Sequence, residues 1–275
     1  QQARQRNEAL IARINRALPD IAVDYERDVL PLTPSGNATE RHMLTAYVTS
    51  AERAFSVLPE RATFWADKLG MQPAQAEALM ADVPAFKNVI RSKLMKRGGV
   101  GYVQPGPETF PSVDLLHQAV TLLGALPCFT WLDGTSEGES NPREQLECLA
   151  DKGVAAVNII PDRNWNVKDD DKRAKLVNEL NRYVDTATDM NLPIFVGTEL
   201  NKPGQRFVDD FQAAPMKPLH QQFLFGAQVM VGHTRLFRYA NFSYTGANAA
   251  NEYPRRAVRN KVFAAIGALP PAPED

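Results

Sequence analysis

Leu192-Pro-Ile-Phe-Val-Gly-Thr-Glu-Leu-Asn-Lys-Pro-Gly204 runs from apolar, β-branched residues into a carboxylate, an amide and a cation. A buried parallel strand reads this way when it delivers polar chemistry at its carboxyl end. The same order recurs in Leu126-Pro-Cys-Phe-Thr-Trp-Leu-Asp-Gly134, in Val154-Ala-Ala-Val-Asn-Ile-Ile-Pro-Asp-Arg163 and in Gln228-Val-Met-Val-Gly-His-Thr234. Four apolar runs ending in polar groups predict one shared site.

Between these runs the apolar spacing becomes helical, which gives helices over 112–123, 142–152, 171–190 and 206–214 separating strands over 126–132, 154–160 and 193–199. Strands alternating with helices form parallel sheets through right-handed crossovers. Further upstream, Arg4 to Leu18 has an amphipathic helical pattern stopped by Pro19, and Ile21 to Val29 alternates as an exposed strand. His42 to Val48 and Gly98 to Pro105 add two more strand candidates. From Ser50 to Lys96 the pattern is helical, cut by Pro59, Gly70-Met-Gln-Pro73 and Pro84. Seven strand candidates predict an α/β protein of the TIM-type (β/α) barrel class, incomplete at its amino end, with an open doubly wound sheet as the alternative. The implied organisation is a helix and first strands over 1–49, a helical insertion or lid over 50–96, a barrel body over 97–268 and a disordered tail over 269–275.

Composition bounds the function. With 275 residues, 44% of them hydrophobic, the chain is long enough to bury a large core. A formal net charge of -1 gives no basic excess for nucleic acid or an anionic membrane, so the expected partner is a small molecule, with a homo-oligomer compatible. Cys128 and Cys148 fall inside predicted elements, too few for a disulfide framework, which fits the reducing cytoplasm. No apolar run approaches the roughly 20 residues of a membrane-spanning helix. The opening Gln1-Gln-Ala-Arg is not a natural initiation site, so further residues are expected before it.

Glu199 and Asp133 end two of the apolar runs, where a carboxylate can bind metal, act as a base or serve as a glycosidase nucleophile. The bland reading of Glu199 is a rim ion pair with Lys202 or Arg206, and that of Asp133-Gly134 an ordinary turn. His233 closes the last run and is the best imidazole candidate, whereas His42, His117 and His220 read as capping or surface histidines. Gln104, Glu137, Asn158, Arg163, Asn201 and Lys202 complete the candidate set as substrate-binding groups. The chain has no Gly-x-Ser-x-Gly elbow, no phosphate-binding loop, no His-Glu-x-x-His and no cysteine cluster.

Asp133, Glu199 and His233 at successive strand ends, with Gly197-Thr-Glu-Leu-Asn201 and Gly232-His-Thr234, resemble the later part of a metal-dependent hydrolase barrel of the amidohydrolase or PHP phosphoesterase type. The resemblance covers residues 126–236, and the His-x-His pair such enzymes carry on their first strand is absent from this chain. It implies hydrolysis of a small polar substrate assisted by a divalent ion, Zn, Mn or Mg, with Glu199 and His233 as ligands and Asp133 as ligand or base. Two other readings stand beside it. One is a metal-free glycoside hydrolase pairing Asp133 or Glu137 with Glu199, with Trp131 and Trp165 as stacking surfaces. The other is a non-catalytic module that recognises a sugar, sugar acid or peptide through Arg163, Asn158 and Lys202.

Overall fold

The computed structural model describes residues 2–106, 109–200 and 205–271, which divide into two compact units, Gln1–Phe110 and Pro111–Asp275. The first is helical: α1 (Gln2–Ala17), α2 (Glu40–Ala54), α3 (Leu58–Leu69), α4 (Pro73–Met80) and α5 (Val83–Leu94). The helix starts follow local chemistry. Asp82 accepts the Ala85 amide at the head of α5, and prolines occupy the first turns of α3, α4 and α5. The helices bury Ile14, Met43, Tyr47, Trp65, Leu69 and Ile90 in one core, with Trp65 edge-on to Phe86 at 5.4 Å. Residues 58–94 are therefore part of this unit's own core.

The second unit contains α6 (Val113–Leu122), β1 (Cys128–Trp131), α7 (Pro142–Asp151), β2 (Ala156–Ile159), the single turn α8 (Asp162–Trp165), α9 (Asp170–Asp189), β3 (Ile194–Val196), α10 (His220–Ala240), α11 (Ala247–Glu252) and α12 (Arg256–Gly267). Its sheet is parallel in the order β1-β2-β3, with Trp131 opposite Ile159 and Ile159 opposite Val196. Val157 and Ile159 are fully buried in the central strand. On the α9 side, Trp131 stacks on Tyr183 with ring centroids 4.5 Å apart. Three parallel strands joined through helices bring all three carboxyl ends to one edge, where α/β proteins bind ligands.

The barrel expectation is overturned. The described residues form twelve α-helices and only three strands of three or four residues, against the eight strands a barrel needs. Each misread strand has a local cause. Over 21–29, the Asn15 side chain takes both the N–H and the C=O of Val23, while the Asp24 and Asp28 carboxylates accept the Arg27 and Asp24 amides, closing a helical turn. Residues 42–48 lie inside α2, where His42 Nδ1 accepts the Thr39 N–H as part of its amino-terminal cap. Residues 98–105 turn back onto the end of α5 through Gly101 N–H to Leu94 C=O, with Arg13 donating twice to the Gly101 carbonyl. The strand expected over 228–234 lies in the middle of α10, and the helix expected over 206–214 is replaced by bends and turns.

α10 looked like a strand because two positions of its buried stripe are glycines. Phe223, Gly226, Val229 and Gly232 face inward at helical spacing, but only two of them register as apolar, so Val229-Met-Val231 stands out as a β-branched run. The glycines let backbones meet. A Cβ at Gly226 would lie 1.9 Å from the Ile194 carbonyl oxygen, and one at Gly267 in α12 would lie 1.8 Å from that of Gln228. Among the described residues no helix is long and apolar enough to cross a membrane.

Candidate functional site

Asp133, Arg163 and Glu199 follow β1, β2 and β3, and the parallel sheet gathers them at its carboxyl edge. Arg163 is delivered by α8, the one-turn helix that starts right after β2. Its Nη2 donates to Asp133 Oδ2 at 3.2 Å and its Nη1 to Glu199 Oε2 at 3.0 Å. One guanidinium thus bridges carboxylates from the two outer strands, with all three side chains partly exposed. The rim partner of Glu199 is Arg163, whereas Arg206 pairs with Asp210 at 3.5 Å and lies over the Trp165 ring.

The charges are set by opposing effects. Burial alone would raise the Asp133 carboxyl, but hydrogen bonds from the Thr135 hydroxyl and amide, and from Arg163, outweigh it and hold the group below the usual aspartate range. Burial likewise works against charge on Arg163, and the two carboxylates more than offset it. Arg163 Nε is buried without a hydrogen-bond partner, while Nη1 and Nη2 each give one hydrogen to a carboxylate and keep a second.

Two acids support this site in roles that the sequence does not announce. Glu139, buried at 6% exposure, accepts the amides of Leu132 and Gly134 and the Ser136 hydroxyl, and so fixes the backbone on both sides of Asp133. Asp209 accepts the Asp162 amide at 3.0 Å and Trp165 Nε1 at 2.9 Å, tying together the first and last residues of α8, and burial pushes its carboxyl upward. The available signal was an acid flanked by apolar residues in Phe207-Val-Asp-Asp-Phe211 and a second acid two residues after Glu137. Asn164 adds a third tie, donating from Nδ2 to the carbonyls of Leu176 at 2.9 Å and Asp133 at 3.4 Å.

Asn158 faces the same side of the sheet as Thr130, to which its Nδ2 donates at 3.4 Å, and its Oδ1 lies where a side chain at Gly197 would begin. Glu137 is exposed on the loop after β1. Gln104 follows no strand; it belongs to the first unit, where it accepts the Tyr102 hydroxyl. Asn201 and Lys202 lie outside the described residues.

His233 is removed from the proposed chemistry. It lies in α10, its Nδ1 accepts the Tyr244 N–H at 3.2 Å and its ring stacks on Phe237. The metal set Asp133, Glu199 and His233 is therefore not assembled: among the described residues no three His, Cys, Asp or Glu side chains converge to hold an ion, and Arg163 bridges the two acids. Burial lowers the His233 pKa against the opposing effect of a hydrogen bond with the Gly124 backbone. A depressed histidine contributes stability that is full above its unfolded pKa, about 6.5, and is lost as pH falls through the folded value. Urea unfolding should therefore show stability falling from pH 7 towards pH 5, with a shallower fall in His233→Gln; an unchanged slope would show that the imidazole does not titrate on unfolding.

No protein-family model, curated protein or solved structure matches the chain, so the hydrolase resemblance gains no support from known proteins.

Proposed function

We propose that the second unit recognises a small, neutral, hydroxyl-rich molecule of the sugar class at the carboxyl edge of its sheet. The observation that carries this is the Asp133–Arg163–Glu199 bridge at the ends of three adjacent parallel strands. Carboxylates accept hydroxyl hydrogens, the second hydrogens on the two terminal nitrogens of Arg163 donate to a hydroxyl or ring oxygen, and the Asn158 amide does both. Two carboxylates and one guanidinium leave the trio negative, which favours a neutral ligand over an acidic one.

Binding fits this arrangement better than hydrolysis does. A carboxylate pair working as acid and base needs environments that push the two groups apart, so that one holds a proton. Here one guanidinium serves both, and Asp133 is kept ionised. The unpaired cysteines suit a reducing compartment such as the cytoplasm.

Calorimetric titration of the whole chain with glucose, xylose, gluconate and hexanol tests the reading. A neutral sugar should bind more tightly than gluconate, hexanol should not bind, and Arg163→Met should weaken the sugar at least tenfold, about 1.4 kcal/mol. Equal binding of gluconate, or a sugar affinity unchanged in Arg163→Met, would sink it. Saturable hydrolysis of an aryl glycoside, lost in Glu199→Gln, would promote the glycosidase reading instead.

A further inference from the structure

The second unit also contains an open-sided pocket of about 570 Å³ where the end of α6 meets the end of α10 and the start of α11. Its size lies within the range of small-molecule pockets. Its lining includes Thr121, Leu122, Phe237, Asn241, Ser243 and Asn248, and no lining residue carries a formal charge. We infer that this cavity is a second ligand site, shaped for an uncharged planar ring with a hydrogen-bonding edge, of the nucleobase or aromatic amide class.

The apolar wall is built before any ligand arrives. Phe237 is 37% exposed, and one face of its ring is backed by the His233 ring, 8° from parallel at 5.9 Å. His233 is in turn held by the Tyr244 amide. Gly124, in the left-handed region at φ +71°, lets the end of α6 reach this ring: a Cβ there would lie 2.1 Å from Phe237 Cζ. α6 itself buries no residue, and polar ties position it instead, Asp114 to Lys152 Nζ at 3.1 Å and His117 Nδ1 to the Lys152 carbonyl at 2.6 Å. Leu122 and Leu123 consequently stand at the cavity about 80% exposed, apolar area that a bound ring would cover.

The polar edge comes from side chains. Asn241, at φ +50°, ends α10 in a left-handed turn that leads the chain back towards α11, bringing Ser243 and Asn248 to the cavity. Amide and hydroxyl groups beside an aromatic ring can pair with the edge of a flat heterocycle whose face lies on that ring. A charged group would find no counter-ion among the lining side chains.

Ligand-observed NMR on the whole chain, with adenosine and nicotinamide against AMP and nicotinate, tests the inference. At least one neutral probe should bind saturably in the millimolar range or tighter, and its acidic counterpart at least fivefold more weakly. Ala247→Trp, which fills the cavity from an exposed position, should abolish binding, and Asn248→Leu should weaken it at least fivefold. Arg163→Met should leave it unchanged, which separates this site from the sheet edge. Failure of both neutral probes to saturate, equal binding of the acidic ones, full binding by Ala247→Trp, or loss in Arg163→Met would each overturn it.

Discussion

Gly232→Ala should cost the second unit about 3 kcal/mol, although alanine is intrinsically better than glycine in a helix by about 1 kcal/mol. The new Cβ would sit 1.8 Å from the Phe263 carbonyl oxygen in α12. That contact is backbone, so no side chain can swing aside, and α10 and α12 must separate along a shared face that also relies on Gly267 against the Gln228 carbonyl. In a unit of this size the loss corresponds to a fall in melting temperature of roughly 6–12 °C. Gly138→Ala supplies the comparison: nothing lies within 4 Å of its added Cβ, and its φ is not positive, so its stability should stay near wild type. Equal melting temperatures for the two variants would mean that the α10–α12 packing has slack which the close approach does not suggest.

The same glycines explain how much of the fold was legible. Three parallel strands and the helices α7 and α9 follow from apolar runs and helical spacing, because there the buried residues carry side chains that announce their face, and α6 follows from its apolar spacing although it buries no residue. α10 hides its face behind Gly226 and Gly232, and its middle reads as a strand ending in His233. In the first unit the helical patterns over 4–18 and 50–96 correspond to α1 and α3–α5, and the misread strands there have a different cause. Its turns are set by side chains that capture backbone groups, Asn15 on Val23, His42 on Thr39 and Arg13 on Gly101, partners 3 to 88 residues apart that no local period reveals. At the site, Asp133, Glu199 and Arg163 could be named because each follows an apolar run. That Arg163 would bridge the two acids depends on strand order, which the sequence does not state. Glu139 and Asp209 were hidden for a related reason: a buried acid that accepts backbone amides looks, in sequence, like any loop acid.

Glu139→Ala should be the most damaging change near the sheet edge. Its carboxylate accepts Leu132 N–H at 2.9 Å and Gly134 N–H at 3.3 Å, with the Ser136 hydroxyl at 3.0 Å. Alanine would leave two backbone donors beside β1 without that acceptor, and an unmet buried donor costs about 1–3 kcal/mol. A loss of about 3 kcal/mol is expected, with Glu139→Gln losing less because its carbonyl oxygen still accepts. Asp133 lies between the two anchored amides, so its alignment with Arg163 should loosen as well. In hydrogen exchange, the Leu132 and Gly134 amides should lose protection in Glu139→Ala under conditions where β2 keeps its own. Sugar affinity should then fall in the still-folded variant, by a route different from Arg163→Met, which removes a contact and leaves those amides protected. If Glu139→Ala unfolds within about 0.5 kcal/mol of wild type, the loop after β1 is held by something other than this carboxylate, and the rigidity of Asp133 must have another source.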